Sequence, residues 1–275
     1  MSDAAVAGES APGGDAPAVC DRMFLLTVGW EFAPESVSLE GGSRTWLKLP
    51  LIAILVHSPV GWVLLETGID PRPYRGVTSA PMYGEHLPEF DTEGDPLLEE
   101  MAAHGLAPED LVAGAVSHLH VDHSGGLRHL AAAGVEVAIQ GAELEFATKR
   151  AGAPEFYRHE DYLLDDLRWR TLDGDAEIVP GVEAVATPGH SPGHMSYRVR
   201  MAESGTWLFA VDAIDLQRGI DTDTAIGWSA DPADAPLRRA SHGRLVALAE
   251  AEDARLLPGH CPETWPPLCT AEGYR

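Results

Sequence analysis

Lysine is almost missing from this chain: Lys48 and Lys149 are the only two in 275 residues. Arginine does not fill the gap, since 19 basic residues face 43 acidic ones and the formal net charge is −24. A field of that sign repels phosphate backbones, so nucleic acid is excluded as an expected substrate or partner. No run of about 18 apolar residues occurs, and no membrane span is expected. Cysteine is scarce, and Cys20, Cys261 and Cys269 show no paired spacing. An odd, unpatterned set argues against a disulfide framework and for a reduced, cytoplasmic protein. The stretch Met1 to Val19, rich in Ala, Gly, Pro, Asp and Ser, lacks the basic start and apolar centre of a signal peptide. Residues 1–21 are expected to form a disordered tail, and residues 22–275 a single domain.

What is present is an ordinary apolar share, 45%, arranged in short runs. Strands are predicted over Arg22–Val28, Trp46–His57 and Gly61–Glu66, the last two joined as a hairpin through Ser58-Pro59-Val60-Gly61. Residues 68–95, rich in Pro and Gly, read as a long loop. Pro96 to His104 reads as a helix, with proline at its start and Gly105 past its end. Further strands are predicted at 111–116, 135–139, 176–179, 182–186, 195–200, 206–211 and 255–257, and helices at 127–133, 141–150 and 237–251. Residues 141–175 interrupt the alternation of strands with many aromatics. Both halves place helices after strands, which suits two sheets packed face to face with helices outside.

The densest chemistry is the run His118-Leu119-His120-Val121-Asp122-His123, directly after the apolar 111–116 stretch. Strand ends that feed a helix are where α/β proteins commonly place sites. Neutral imidazole and carboxylate suit zinc and its borderline neighbours iron, manganese and cobalt. His118 and His120, two apart, can point at one ion, and Asp122 and His123 at a second. His190, Asp212 and His260 also follow predicted strands, giving seven candidate metal ligands: His118, His120, Asp122, His123, His190, Asp212 and His260. A lone histidine is more often an ordinary hydrogen-bonding residue, and that reading is kept for His57, His86, His104, His129, His159 and His242. His194 is read as a group that orients a ligand.

The string Ser117-His118-Leu119-His120-Val121-Asp122-His123-Ser124-Gly125-Gly126, with Thr187-Pro188-Gly189-His190, Asp212 and Pro258-Gly259-His260 in that order, resembles the metallo-β-lactamase superfamily. The resemblance implies an αββα sandwich: two packed mixed sheets with helices outside. Leu65-Glu66-Thr67-Gly68-Ile69-Asp70-Pro71, the Thr187–His194 segment and the aromatic 141–175 insertion make the chain most similar to N-acyl-homoserine lactonases of that superfamily. This implies two divalent ions, one on His118, His120 and His190, the other on Asp122, His123 and His260, with Asp212 bridging. The implied reaction is opening of a lactone ring by a metal-bridging hydroxide, with Asp122 as the catalytic proton carrier. The implied partner is a small-molecule substrate, and the implied assembly a monomer or homodimer.

Two positions depart from the family. Glu66 stands where an aspartate is usual, and Asp215 stands where the lactonases carry a tyrosine that holds the substrate carbonyl. Tyr83, Tyr157 and Tyr162 are candidates to replace that hydroxyl. Phe24, Trp30, Phe32, Met82, Tyr83, Phe146, Phe156 and Tyr157 are candidate pocket walls. Other chemistries stay open: a pyridoxolactone-like lactone, a thioester, or a mononuclear iron sulfur dioxygenase.

Overall fold

The computed structural model describes residues 17–149 and 156–275. Residues 1–16 of the expected tail lie outside them. Cys20 is buried, and its N–H donates to the Arg200 carbonyl at 2.7 Å, so packing begins before Arg22.

Among the described residues eleven strands form two mixed sheets. The first contains β1 (Arg22–Pro34), β2 (Trp46–Ser58), β3 (Gly61–Leu65), β4 (Leu111–Ala115), β5 (Glu136–Gln140) and β6 (Arg168–Leu172), in that spatial order. β1 to β3 pair antiparallel, and β3 to β6 pair parallel. The second sheet runs β11-β10-β9-β8-β7, from β7 (Ala176–Val179), β8 (Val182–Ala186), β9 (Met195–Met201), β10 (Gly205–Phe209) and β11 (Arg255–Leu257). Only β10 and β11 are parallel there.

β2 shows why the sheets stack. Its Ile52, Ile54 and Val56 point toward the second sheet and meet Met195, Tyr197, Val199 and Trp207, while Leu51, Ala53 and Leu55 point the other way. Alternation puts successive side chains on opposite faces. A strand covered on both faces is therefore apolar throughout. The outer face is covered by α2 (Pro96–Ala103) and α4 (Leu127–Ala133), through Leu97, Met101, Leu127 and Leu130. On the second sheet, α8 (Ala235–Glu252) packs Leu245 against Val185 and Ala210. The αββα expectation holds. Short helices fill the loops: α1 (Glu35–Ser38), α3 (Val121–Ser124), α5 (Gly141–Lys149), α6 (His159–Tyr162) and α7 (Gln217–Asp221).

Two differences from the sequence reading have physical causes. β1 continues six residues past Val28, because a bulge between Thr27 and Trp30, at Gly29, lets the ladder resume with Trp30 opposite Pro50. Residues 141–175 do not only interrupt the sheet: β6 within them pairs parallel with β5. As an edge strand with mostly exposed side chains, β6 carries no apolar pattern to betray it.

Candidate metal centre

All seven predicted ligands lie at one end of the sandwich, beyond strand ends: four after β4, His190 after β8, Asp212 after β10 and His260 after β11. Each is at most 6% exposed. The Gly125-Gly126 pair explains how the cluster gets so close to its neighbours. A Cβ on Gly125 would sit 1.9 Å from the Asp70 nitrogen, and one on Gly126 2.7 Å from the Thr67 carbonyl oxygen.

The donors divide into two groups. His118 Nε2 and His190 Nε2 both lie 2.9 Å from His120 Nδ1. In the second group, His123 Nε2 lies 3.0 Å from Asp122 Oδ2 and 3.1 Å from Asp212 Oδ1, and His260 Nε2 lies 2.9 Å from Asp212 Oδ1. Asp212 spans the two, for its Oδ2 is 3.3 Å from His190 Nε2 and 4.0 Å from His118 Nε2. Imidazole nitrogens that face one another at such distances without a shared carboxylate cannot all be satisfied by hydrogen bonds. A divalent ion between them satisfies them, and the imidazole and carboxylate set suits one. The cluster fits two adjacent ions.

Charge separates the groups. Burial, and then His123 and His120, hold His118 well below the usual imidazole range. Burial likewise lowers His190 far and takes His120 to about 4. In the second group burial opposes charge, but the carboxylates outweigh it. Asp122, Asp212 and Glu66 hold His123 well above its usual range, and Asp212 raises His260 to about 10. Asp122 falls to about 2 against its own burial, chiefly through His123.

Glu66 orients the second group despite its extra methylene. It accepts from the Ser117 N–H (2.7 Å), from His123 Nδ1 (2.5 Å) and from the Tyr197 hydroxyl. Its φ of +64° turns the carboxyl out of the β3 line and under the site. Val211, beside Asp212, has φ +49°, a costly conformation for a β-branched residue. His194 acts as expected: its Nε2 accepts from the Asp212 N–H at 3.2 Å and its Nδ1 meets Thr187 Oγ1 at 2.9 Å.

The three tyrosines proposed to replace the family hydroxyl are engaged elsewhere. Tyr83 donates to Glu31 (2.7 Å), Tyr157 to Glu143 (3.3 Å) and Tyr162 to the Ala147 carbonyl (3.2 Å). Asp215 itself lines the cavity over the ligands, with Glu31 and Ser38 near it. Burial, and then Asp212, push its carboxyl well above the usual range, and its Oδ1 has no partner among the described residues. Met82, Phe156 and Trp228 line the same cavity. They continue into an apolar pocket of about 110 Å³ with Phe32, Val37 and Trp46. Of the other expected walls, Phe24 stacks on His104 at 4.0 Å and Trp30 carries the Lys48 ammonium at 5.0 Å. Phe146 packs edge-on to Tyr157, and neither it nor Phe24 nor Trp30 lines the cavity. Trp228 and Glu31 were not foreseen. A single Trp in an irregular stretch and a Glu inside a strand give no signal of their own.

Among the described residues no helix is long and apolar enough to cross a membrane. The sequence profile of the metallo-beta-lactamase superfamily matches residues 53–260. An N-acyl homoserine lactonase from Bacillus cereus is 33% identical over 220 residues, 78% of this chain and 82% of its own length. The solved structure of a quorum-quenching N-acyl homoserine lactone hydrolase superposes with a TM-score of 0.81 at 26% identity, over 94% of this chain and 100% of that one. Another such hydrolase, solved with N-hexanoyl-L-homoserine at its catalytic metal centre, gives 0.77 at 27% identity, covering 89% and 95%. With the profile covering most of the chain and the fold and ligand order agreeing, this protein belongs to the metallo-beta-lactamase superfamily.

Proposed function

We propose that the protein is a dinuclear metal-dependent hydrolase that opens the ring of N-acyl-homoserine lactones. The observation that carries this is the split use of Asp212, one oxygen toward each donor group, at the floor of a cavity with one apolar wall. His118, His120 and His190 would hold one ion, Asp122, His123 and His260 the other, and Asp212 both. Ions so held supply a water of lowered pKa and polarise a carbonyl oxygen. Zinc is the proposed metal on this imidazole-rich set.

The chain's own residues do the rest. The apolar wall of Met82, Phe156 and Trp228 receives the acyl group and keeps water from that side. Asp122, at the cavity floor, takes the proton of the attacking water on a carboxylate oxygen and returns it to the departing ring oxygen. His123 Nε2 lies 3.0 Å from Asp122 Oδ2, so the two would share the ion on that side. No covalent nucleophile is needed, and Cys261, buried beside His260, donates its thiol to Glu263.

The test is proton release from N-acyl-homoserine lactones of several chain lengths, with metal content read on the same sample. Rapid opening with two ions per chain supports the proposal, and no opening across the series sinks it. The stacked Phe156–Trp228 pair, 4.9 Å apart, would also receive a flat ring. A pyridoxolactone-like compound therefore belongs in the panel, together with a thioester. One iron per chain would turn the reading to a sulfur dioxygenase. The free cysteines fit a cytoplasmic setting, and light scattering reads monomer against homodimer.

A further inference from the structure

The outer nitrogens of the two histidine groups are held differently. In the second group His123 Nδ1 bonds Glu66, and His260 Nδ1 bonds the Pro50 carbonyl oxygen. In the first, His118 Nδ1 meets Ser117 Oγ at 2.9 Å, but His120 Nε2 and His190 Nδ1 have no hydrogen-bond partner among the described residues. Imidazoles without such partners must be aimed by the loops that carry them. Those loops leave different sheets, since His118 and His120 follow β4 and His190 follows β8.

One buried side chain bonds both loops. Glu143, in the first turn of α5, accepts through Oε1 from the Leu119 N–H at 3.1 Å, between two of the ligands. Through Oε2 it accepts from Ser191 Oγ at 2.6 Å and from the Gly193 N–H at 3.2 Å, in the loop of His190. Tyr157, whose ring stands edge-on to His120 at 4.6 Å, donates to Oε1 as well. None of the four donors is a cation, and a carboxylate buried without one is unfavourable unless its oxygens are fully bonded. The approach is built for this contact, because a Cβ on Gly193 would lie 2.1 Å from the Glu143 nitrogen. A residue there for packing alone would be apolar.

We propose that Glu143 is a positioning residue for the first metal group. By pinning the β4 and β8 loops to each other it sets the spacing at which His118, His120 and His190 meet one ion, and it leaves the second group alone. This rests on the two-ion assignment above.

Glu143→Gln keeps the size but only one acceptor oxygen, so either the Leu119 N–H or the Gly193 N–H is left facing an amide donor and one loop is released. Metal-free wild type and variant are titrated with zinc against a chromogenic chelator, with thermal unfolding measured alongside. The expected result is one ion bound as in wild type and the other weakened about ten- to hundredfold. Ser191→Ala removes one donor, spares the carboxylate, and should weaken the same ion a few-fold; it decides the matter if Glu143→Gln does not fold. Adding Glu143→Gln to His190→Ala should cost little more, whereas adding it to His123→Ala should give additive losses. Two ions held by Glu143→Gln as tightly as by wild type, or both weakened equally, would overturn the proposal. A wild type that binds fewer than two ions would overturn the two-ion assignment instead, so the two failures read differently.

Discussion

The two donor groups sit side by side and share Asp212, yet they are built on different principles. The first is three imidazoles that burial keeps neutral, placed by two loops from two sheets. The second sets two imidazoles against Asp122 and Asp212, with outer nitrogens bonded to Glu66 and the Pro50 carbonyl. The asymmetry extends into the cavity. Trp228 lies 5.5 Å from the rings of His120 and His190, whereas Glu31 and Asp215 stand on the carboxylate side. One group therefore depends on position and the other on charge and direct bonds, and a perturbation of either kind should separate them.

The largest effect should come from removing what they share. Asp212→Ala takes a ligand from both groups, so both ions should leave on dialysis and lactone opening should fall at least about a thousandfold. Chelation of wild type should do the same, reversibly on adding metal back. An Asp212→Ala chain that kept one tightly bound ion would break the idea that the groups are joined. Next comes Glu66→Gln, which weakens the acceptor under His123. It should cost about ten- to hundredfold in affinity for one ion. An equal loss at both, read by the same zinc titration, would erase the distinction between them.

Acidity should separate the groups as well. Metal binding needs neutral imidazole, so protons compete wherever a free imidazole is charged. His120, lowered to about 4, and His118 and His190, held well below the usual imidazole range, are already neutral at pH 6. His123, held well up, and His260, at about 10, must each lose a proton. Raising the pH from 6 to 9 should therefore tighten one ion steeply and the other little. Calorimetry in buffers of different ionisation enthalpy would count the protons, and equal release for both ions would refute the asymmetry.

The candidate ligands were legible because five are histidines and all seven follow apolar runs. His118 to His123 follow Leu111–Val116, and His190, Asp212 and His260 each follow a strand. What stayed hidden depends on three-dimensional approach. Glu143 reads as one more acid in a helix whose other acid, Glu145, is solvated; only the contact with Leu119 and Ser191 marks it. The left-handed backbone of Glu66 and Val211 breaks local preference at the site, and no local rule announces it. β6 was obscured for the opposite reason, being an edge strand with three of its five side chains exposed.

The smallest effect tests the apolar side of the cavity. The pocket of about 110 Å³ beyond Phe156 and Trp228 is large enough for part of an acyl chain. Each methylene buried contributes about 0.8 kcal/mol, or roughly a fourfold gain in kcat/KM, until the space is filled. kcat/KM should thus climb with chain length over short chains and then level off. Trp228→Ala should flatten that climb by a few-fold while the carboxylate side of the cavity, and the ion held there, stay as they are. A wild type indifferent to chain length would mean that the acyl group lies elsewhere, and that the apolar wall serves only to shield His120 and His190.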